Sequence, residues 1–359
     1  MNAATRAPDD RIQSARQWYP SFLANGVDYN DIEATLGRIE QWEDWCREWS
    51  QTAARYETLA EAAARDGRGL SRGEFFYRAA MCYHFAQFVL YDHPELKATA
   101  HARKVACYAG AAPFLAPPAR RIEFPFAETR LPGYLRLPAG RARAPCVILI
   151  PGLHSTKEVM HILSDALLAR GLATFSYDGP GQGESWERLK LRPDPEHAGS
   201  AAIDALTRRA EVDAERIAVL GHSFGGYVAP RLAAVDPRVR ACLVASALWD
   251  LSDWQALQPI LRRGFQYVFG VESDAQARQL AQDFSLAAFA PQVRCPTLVV
   301  HGGQDRLVAA SHARRLYGAL QGPKELWLFE HGNHSCYNVP ELRPLMADWL
   351  AKQLGGARE

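Results

Sequence analysis

The stretch Arg216–Ala234 constrains the fold more than any other. It reads RIAVL, then Gly221-His222-Ser223-Phe224-Gly225, then a run to Ala234 that suits a helix. The five central residues alone would match by chance in many chains. Their context is what matters: a hydrophobic strand enters the G-x-S-x-G turn and a helix leaves it. Glycines on either side let strand and helix backbones pass closely, so Ser223 is expected at the apex of a strained turn. Its Oγ then projects at the carboxyl edge of a sheet, with the N–H of Phe224 directed toward whatever carbonyl binds there.

The rest of the chain divides in texture. Up to about Pro118 it reads as successive helices. From Ile32, the residues Leu36, Ile39, Trp42, Cys46, Trp49, Ala53 and Tyr56 recur at three- and four-residue steps, which predicts one long helix capped by Asn30 or Asp31. Asp66–Leu70 breaks it, and Ser71-Arg72-Gly73-Glu74 has capping-box spacing for a second helix that His93-Pro94 ends. A third is expected over Glu95–Ala112. Trp18, Trp42, Trp45 and Trp49 are expected to anchor helix packing.

Beyond Pro113–Arg121, short β-rich runs alternate with helical ones. Ile122–Phe126 and Tyr134–Leu137, with Pro132-Gly133 in the turn-rich segment between them, suggest a hairpin. Strands are expected at Cys146–Ile150, Leu172–Tyr177, Arg216–Leu220, Arg240–Ala245, Thr297–Val300 and Glu325–Phe329, with helices between them. An extra helical insertion should fill Ala247–Pro291. Buried strands alternating with helices predict an α/β fold, a doubly wound and mostly parallel sheet. The expected domains are 1–118, helical, and 119–359, α/β, in line with about two folding units for this length.

Composition removes several function classes. Lys and Arg total 41 against 40 Asp and Glu, so no net field favours nucleic acid or an anionic membrane. No apolar run approaches the ~18 residues of a membrane span, and the opening MNAATRAPDDRIQSARQWYP carries charges where a signal peptide has an apolar block. The seven cysteines are scattered and form no C-x-x-C pair, the pattern of reduced thiols in a cytoplasmic protein.

A serine nucleophile needs a base, and the base an orienting acid; after a strand–turn–helix serine the expected chain order is acid, then histidine. Asp305 follows the Thr297–Val300 strand in a glycine-rich turn, GGQD, and His334 follows the last strand. Asp250 and Asp253 are rival acids, and His331 is the more structural of the two late histidines. Leu153 N–H, in the loop Pro151-Gly152-Leu153-His154-Ser155, is the expected second oxyanion donor beside Phe224 N–H. His154 stands where a titratable ring could donate to a leaving group. Tyr83 and His84 are candidate substrate contacts. DGPGQGES, Asp178–Ser185, departs from G-x-G-x-x-G because Glu184 takes the last glycine position, so no nucleotide cofactor is expected. His331 and His334 have no third ligand at metal-site spacing, so no metal is expected either.

With Ser223, Asp305 and His334 in this order and context, residues 120–355 resemble the α/β-hydrolase superfamily. A narrower resemblance spans nearly the whole chain. RAAMCYHFAQFVLYD, AAPFLAPPARRIEFP, GLHSTKE and DGPGQGES are similar to the dihydroxypseudooxynicotine hydrolase group, itself similar to fungal hydrolases that shorten polyketides. The resemblance implies a helical N-terminal domain capping the active site and, in several members, hydrolysis of a C–C bond beside a ketone. It also implies a glutamate with an active-site role just before Ser-Thr-Lys, where this sequence has His154. The expected function is therefore a serine hydrolase acting on a C–C bond in a ketonic aromatic or polyketide-like small molecule. Alternatives are a carboxylesterase and a non-catalytic small-molecule receptor. A homodimer is the assembly that exposed apolar surface on the cap would support.

Overall fold

A computed structural model describes residues 17–355. The chain divides into two compact units, 1–116 and 117–359. Among the described residues no helix is long and apolar enough to cross a membrane.

The first unit is helical: Tyr19–Ala24, Tyr29–Leu36, Trp45–Arg65, Gly69–Gln87 and Pro94–Ala111. Its core is aromatic, with Phe22 against Phe85 at a centroid distance of 4.1 Å and Trp42 stacked on Trp45 at 5.3 Å. The single long helix expected from Ile32 is two helices. The first is capped by Asp28, whose side chain accepts from Asn30 N, and ends at Gly37. Between the two, Asp44 folds back to accept from Gln41 N at 3.2 Å. The apolar stripe survives the break because burial requires only that Leu36, Ile39 and Trp42 face inward, not that one helix carry them.

The Ser71–Glu74 capping box does not form either. Gly67 takes a positive φ of 70°, Arg68 N donates to Ala63 O, and the next helix opens at Gly69. Gly73 serves packing instead: a Cβ there would lie 2.4 Å from Phe114 Cβ.

The second unit is an eight-stranded sheet of order β1-β2-β4-β3-β5-β6-β7-β8. The strands are β1 (Ala119–Phe126), β2 (Thr129–Arg136), β3 (Ala144–Ile150), β4 (Ala173–Tyr177), β5 (Val212–His222), β6 (Val239–Ala245), β7 (Thr297–Gly302) and β8 (Lys324–Phe329). β1 and β2 pair antiparallel, as do β2 and β4; every other neighbour is parallel. The hairpin turns at Ala127 and Glu128, so Pro132-Gly133 belongs to β2. Gly133 is there for close approach, since a Cβ would meet Phe175 Cζ at 2.4 Å.

Apolar side chains cover both faces of the central strands. Ile148, Val219 and Val244 belong to one core layer and Leu149, Leu220 and Leu243 to the other. That is why these strands read as continuous apolar runs. Two helices, Pro259–Phe269 and Asp274–Ala281, fill the insertion before β7. Because β3, β5, β6, β7 and β8 run parallel, the loops after their last residues all emerge at one edge, where sites in such sheets are built.

Candidate active site

Three of those loops bring together residues far apart in the chain. Ser223 follows β5 with φ 55° and ψ −121°, a strained conformation for a residue with a side chain. The flanking glycines make the turn possible: a Cβ on Gly221 would lie 2.0 Å from Gly225 O, and one on Gly225 2.0 Å from Ile150 O. Ser223 Oγ lies 2.9 Å from His334 Nε2, and His334 Nδ1 lies 2.8 Å from Asp305 Oδ2. A carboxylate only accepts, so Nδ1 carries the hydrogen and Nε2 is left to accept from the serine hydroxyl.

Asp305 is fixed at its other oxygen as well. Oδ1 accepts from Leu307 N and Val308 N, both at 2.9 Å. Its side chain has no solvent exposure. Burial alone would raise its carboxyl pKa, but the His334 hydrogen bond and charge hold it below the ordinary carboxylate value. The rival acids are engaged elsewhere: Asp250 Oδ2 lies 3.3 Å from Arg315, and Asp253 caps the short turn Trp254–Ala256. His331 is exposed, with Nδ1 at 3.4 Å from Gln304 Nε2.

The His334 loop is shaped by residues that the sequence did not single out. Ser335 and Cys336 have φ of 58° and 52°, and Ser335 N donates to Ser246 Oγ at 2.9 Å. Ser246, itself at φ 52°, is the first residue after β6. His301, buried in β7, lies with Nε2 at 2.9 Å from Val308 O and closes the turn that presents Asp305. Neither had a local signal, since one serine after a strand and one histidine within it look ordinary.

The loop after β3 passes beside the serine. A Cβ on Gly152 would come within 3.1 Å of Ser223 Cβ. Ser155 N donates to Gly152 O at 3.1 Å, so Leu153 and His154 occupy the middle of a tight turn. Leu153 is buried and His154 half-buried. Phe224 is the first residue of the helix Phe224–Val235, so its N–H is among those a helix leaves without an internal partner. His222 faces this loop, its Cε1 3.5 Å from where a Gly152 Cβ would stand. Burial, reinforced by His334, lowers its pKa to about 4.

Behind the loop lies a buried charge cluster. Lys157 Nζ sits 2.7 Å from Asp178 Oδ2, 2.6 Å from Glu158 Oε1 and 2.5 Å from Glu184 Oε2. These carboxylates are the one grouping among the described residues with metal-ligand spacing, and the lysine ammonium occupies its centre. Burial would depress the lysine pKa, but the three carboxylates hold it well above its ordinary value.

Tyr83 and His84 belong to the helical unit. Tyr83 donates to Glu57 Oε2 at 2.6 Å, and His84 is buried with its ring edge-on to Phe85.

The profile of the Esterase FrsA-like family matches residues 30–259, and that of the prolyl oligopeptidase family matches residues 167–357. The chain is 35% identical over 333 residues to 2,6-dihydropseudooxynicotine hydrolase of Paenarthrobacter nicotinovorans, covering 91% of this chain and 89% of that one. It is 31% identical to 20-hydroxy-prefusarin hydrolase of Gibberella moniliformis, covering 76% and 77%. The crystal structure of 2,6-dihydroxy-pseudo-oxynicotine hydrolase superposes with a TM-score of 0.87 at 35% identity, over 94% of this chain and 95% of that one. The fold, the eight-stranded sheet and these matches together make the chain a hydrolase of the α/β-hydrolase superfamily, belonging to the FrsA-like esterase family.

Proposed function

We propose that this hydrolase works through Ser223, His334 and Asp305 and cleaves a C–C bond next to a ketone in an aromatic or polyketide-like small molecule. The observation that carries the serine chemistry is the unbroken hydrogen-bonded chain from Ser223 Oγ through His334 to Asp305 at the sheet edge. The C–C specificity is supported by similarity to 2,6-dihydropseudooxynicotine hydrolase and 20-hydroxy-prefusarin hydrolase.

His334 Nε2 takes the Ser223 proton as Oγ attacks the carbonyl carbon, and Asp305 steadies the imidazolium. Leu153 and Phe224 N–H hold the oxyanion, at about 2.7–4 kcal/mol for each such donor. Collapse of the tetrahedral intermediate breaks the bond to the leaving group. An ester's alkoxide takes the proton from His334. A carbanion must delocalise into a neighbouring carbonyl or phenolic ring and be protonated on carbon, with His154 as the relay for that proton. Water, activated by His334, then releases the acid and restores Ser223.

A carboxylesterase is the second reading, favoured by the esterase description of the family and by His154 in place of the expected glutamate. Three assays test the nucleophile, the bond cleaved and the proton relay in turn. A fluorophosphonate should label wild type and not Ser223→Ala; equal labelling would remove the nucleophile. Aryl β-diketones should turn over, and rapid hydrolysis of p-nitrophenyl esters with no diketone cleavage would make the esterase reading the correct one. His154→Ala should slow diketone cleavage far more than activated-ester hydrolysis, and equal losses would remove its role as relay.

A further inference from the structure

We infer that Gln182 is a positioning residue for the oxyanion site, its amide fixing the peptide plane that aims Leu153 N–H. The inference deepens the serine-hydrolase reading and rests on it. Gln182 is buried in the Asp178–Ser185 loop, at 5% exposure. Its Nε2 donates to Pro151 O and to Gly152 O, each at 3.0 Å, while its Oε1 accepts from Gly179 N at 3.1 Å. The N–H of Gly179 can only donate, so the amide orientation follows: oxygen toward Gly179, nitrogen toward the two carbonyls.

Gly152 O also accepts from Ser155 N at 3.1 Å, so both of its lone pairs are engaged. In a trans peptide the carbonyl and the next residue's N–H point in opposite directions across one rigid plane. Holding Gly152 C=O therefore holds Leu153 N–H. The glycine cannot restrain this plane itself, because it lacks a Cβ and has no room for one beside Ser223. The restraint comes from across the sheet edge, through Gln182. The same loop pins the far end of the segment independently: Asp178 Oδ1 accepts from Lys157 N at 2.8 Å and Oδ2 from Glu184 N at 3.1 Å. Asp178–Ser185, which has the look of a phosphate loop, thus serves as the outer frame of the oxyanion loop.

The test uses the full chain as wild type, Gln182→Ala, Gln182→Glu and Ser223→Ala. The probes are p-nitrophenyl butyrate as substrate and an aryl trifluoromethyl ketone, which adds Ser223 Oγ to form a tetrahedral adduct. Removing a donor outright costs about 10²–10³-fold, so misaiming one should cost about 10- to 100-fold in kcat. Gln182→Ala should show that loss with KM within about threefold, because the contact matters only once the oxyanion forms. The ketone's inhibition constant should rise by the same factor as kcat/KM falls. Gln182→Glu keeps the shape but turns a carboxylate oxygen toward two carbonyls; it should lose at least as much, and it carries the comparison if the alanine variant does not fold. A folded variant with unchanged kcat, or a fall in kcat with no matching change in ketone affinity, overturns the inference. Ketone binding that survives undiminished in Ser223→Ala would instead sink the serine reading, whatever the Gln182 variants do.

Discussion

Replacing Asp305 with asparagine separates charge from geometry. Asp305 Oδ1 is held by two backbone donors, Leu307 N and Val308 N, at 2.9 Å each. An asparagine must keep its oxygen there, since its NH₂ cannot face two N–H groups. The NH₂ then lies where Oδ2 was, 2.8 Å from His334 Nδ1, and donates to it. Nδ1 becomes the acceptor, the ring hydrogen moves to Nε2, and His334 can no longer take the Ser223 proton. In triads of this kind the wrong tautomer lowers kcat by about 10⁴, or about 5.5 kcal/mol of barrier. The assay is kcat on p-nitrophenyl butyrate for Asp305→Asn and for Asp250→Asn, the acid that the sequence left as a rival. Asp250 pairs with Arg315 and should change kcat by less than about threefold. A loss under about tenfold for Asp305→Asn, or a larger loss for Asp250→Asn, would refute the tautomer argument.

Three further outcomes are expected. Gly225→Ala should yield no soluble active protein, because its Cβ would stand 2.0 Å from Ile150 O; activity within about tenfold of wild type would show that the turn has slack. Lys157→Met should destabilise by about 3–5 kcal/mol, since it strands the buried Asp178 and Glu158 without their cation; an unfolding midpoint unmoved in calorimetry would contradict this. His222 has its pKa lowered to about 4 by burial and by His334, below its unfolded value of 6.5. Between those two values the unfolded chain binds the extra proton, so stability falls as pH drops from about 6.5 to 4, by about 3 kcal/mol at most. His222→Gln should lose less stability than wild type over that range; parallel urea midpoints at pH 7.5, 5.5 and 4.5 would rule the effect out.

Much of the site was legible because each part has a local signature. A strand running into G-x-S-x-G and a helix is one contiguous segment, and its strain is written in adjacent glycines. Asp305 and His334 were legible through their places after strands. Where reading by period failed, tertiary contacts had overruled it. Gly73 and Gly133 look like punctuation but serve close approach to Phe114 and Phe175, residues remote in sequence. The stripe from Ile32 to Tyr56 kept its inward-facing positions while the backbone beneath it broke at Gly37.

The order of strands and helices along the chain, the strained serine turn and the places of Asp305 and His334 just after strands were legible in the sequence alone, because each depends on neighbours within a few positions. Which carboxylate reaches His334, that Ser246 and His301 brace its loop and its acid, and that Gln182 grips Pro151 and Gly152 were decided only by the tertiary structure. Those pairings depend on which strands lie side by side, and strand adjacency is set by burial of two apolar faces over the whole sheet, not by any segment's own pattern.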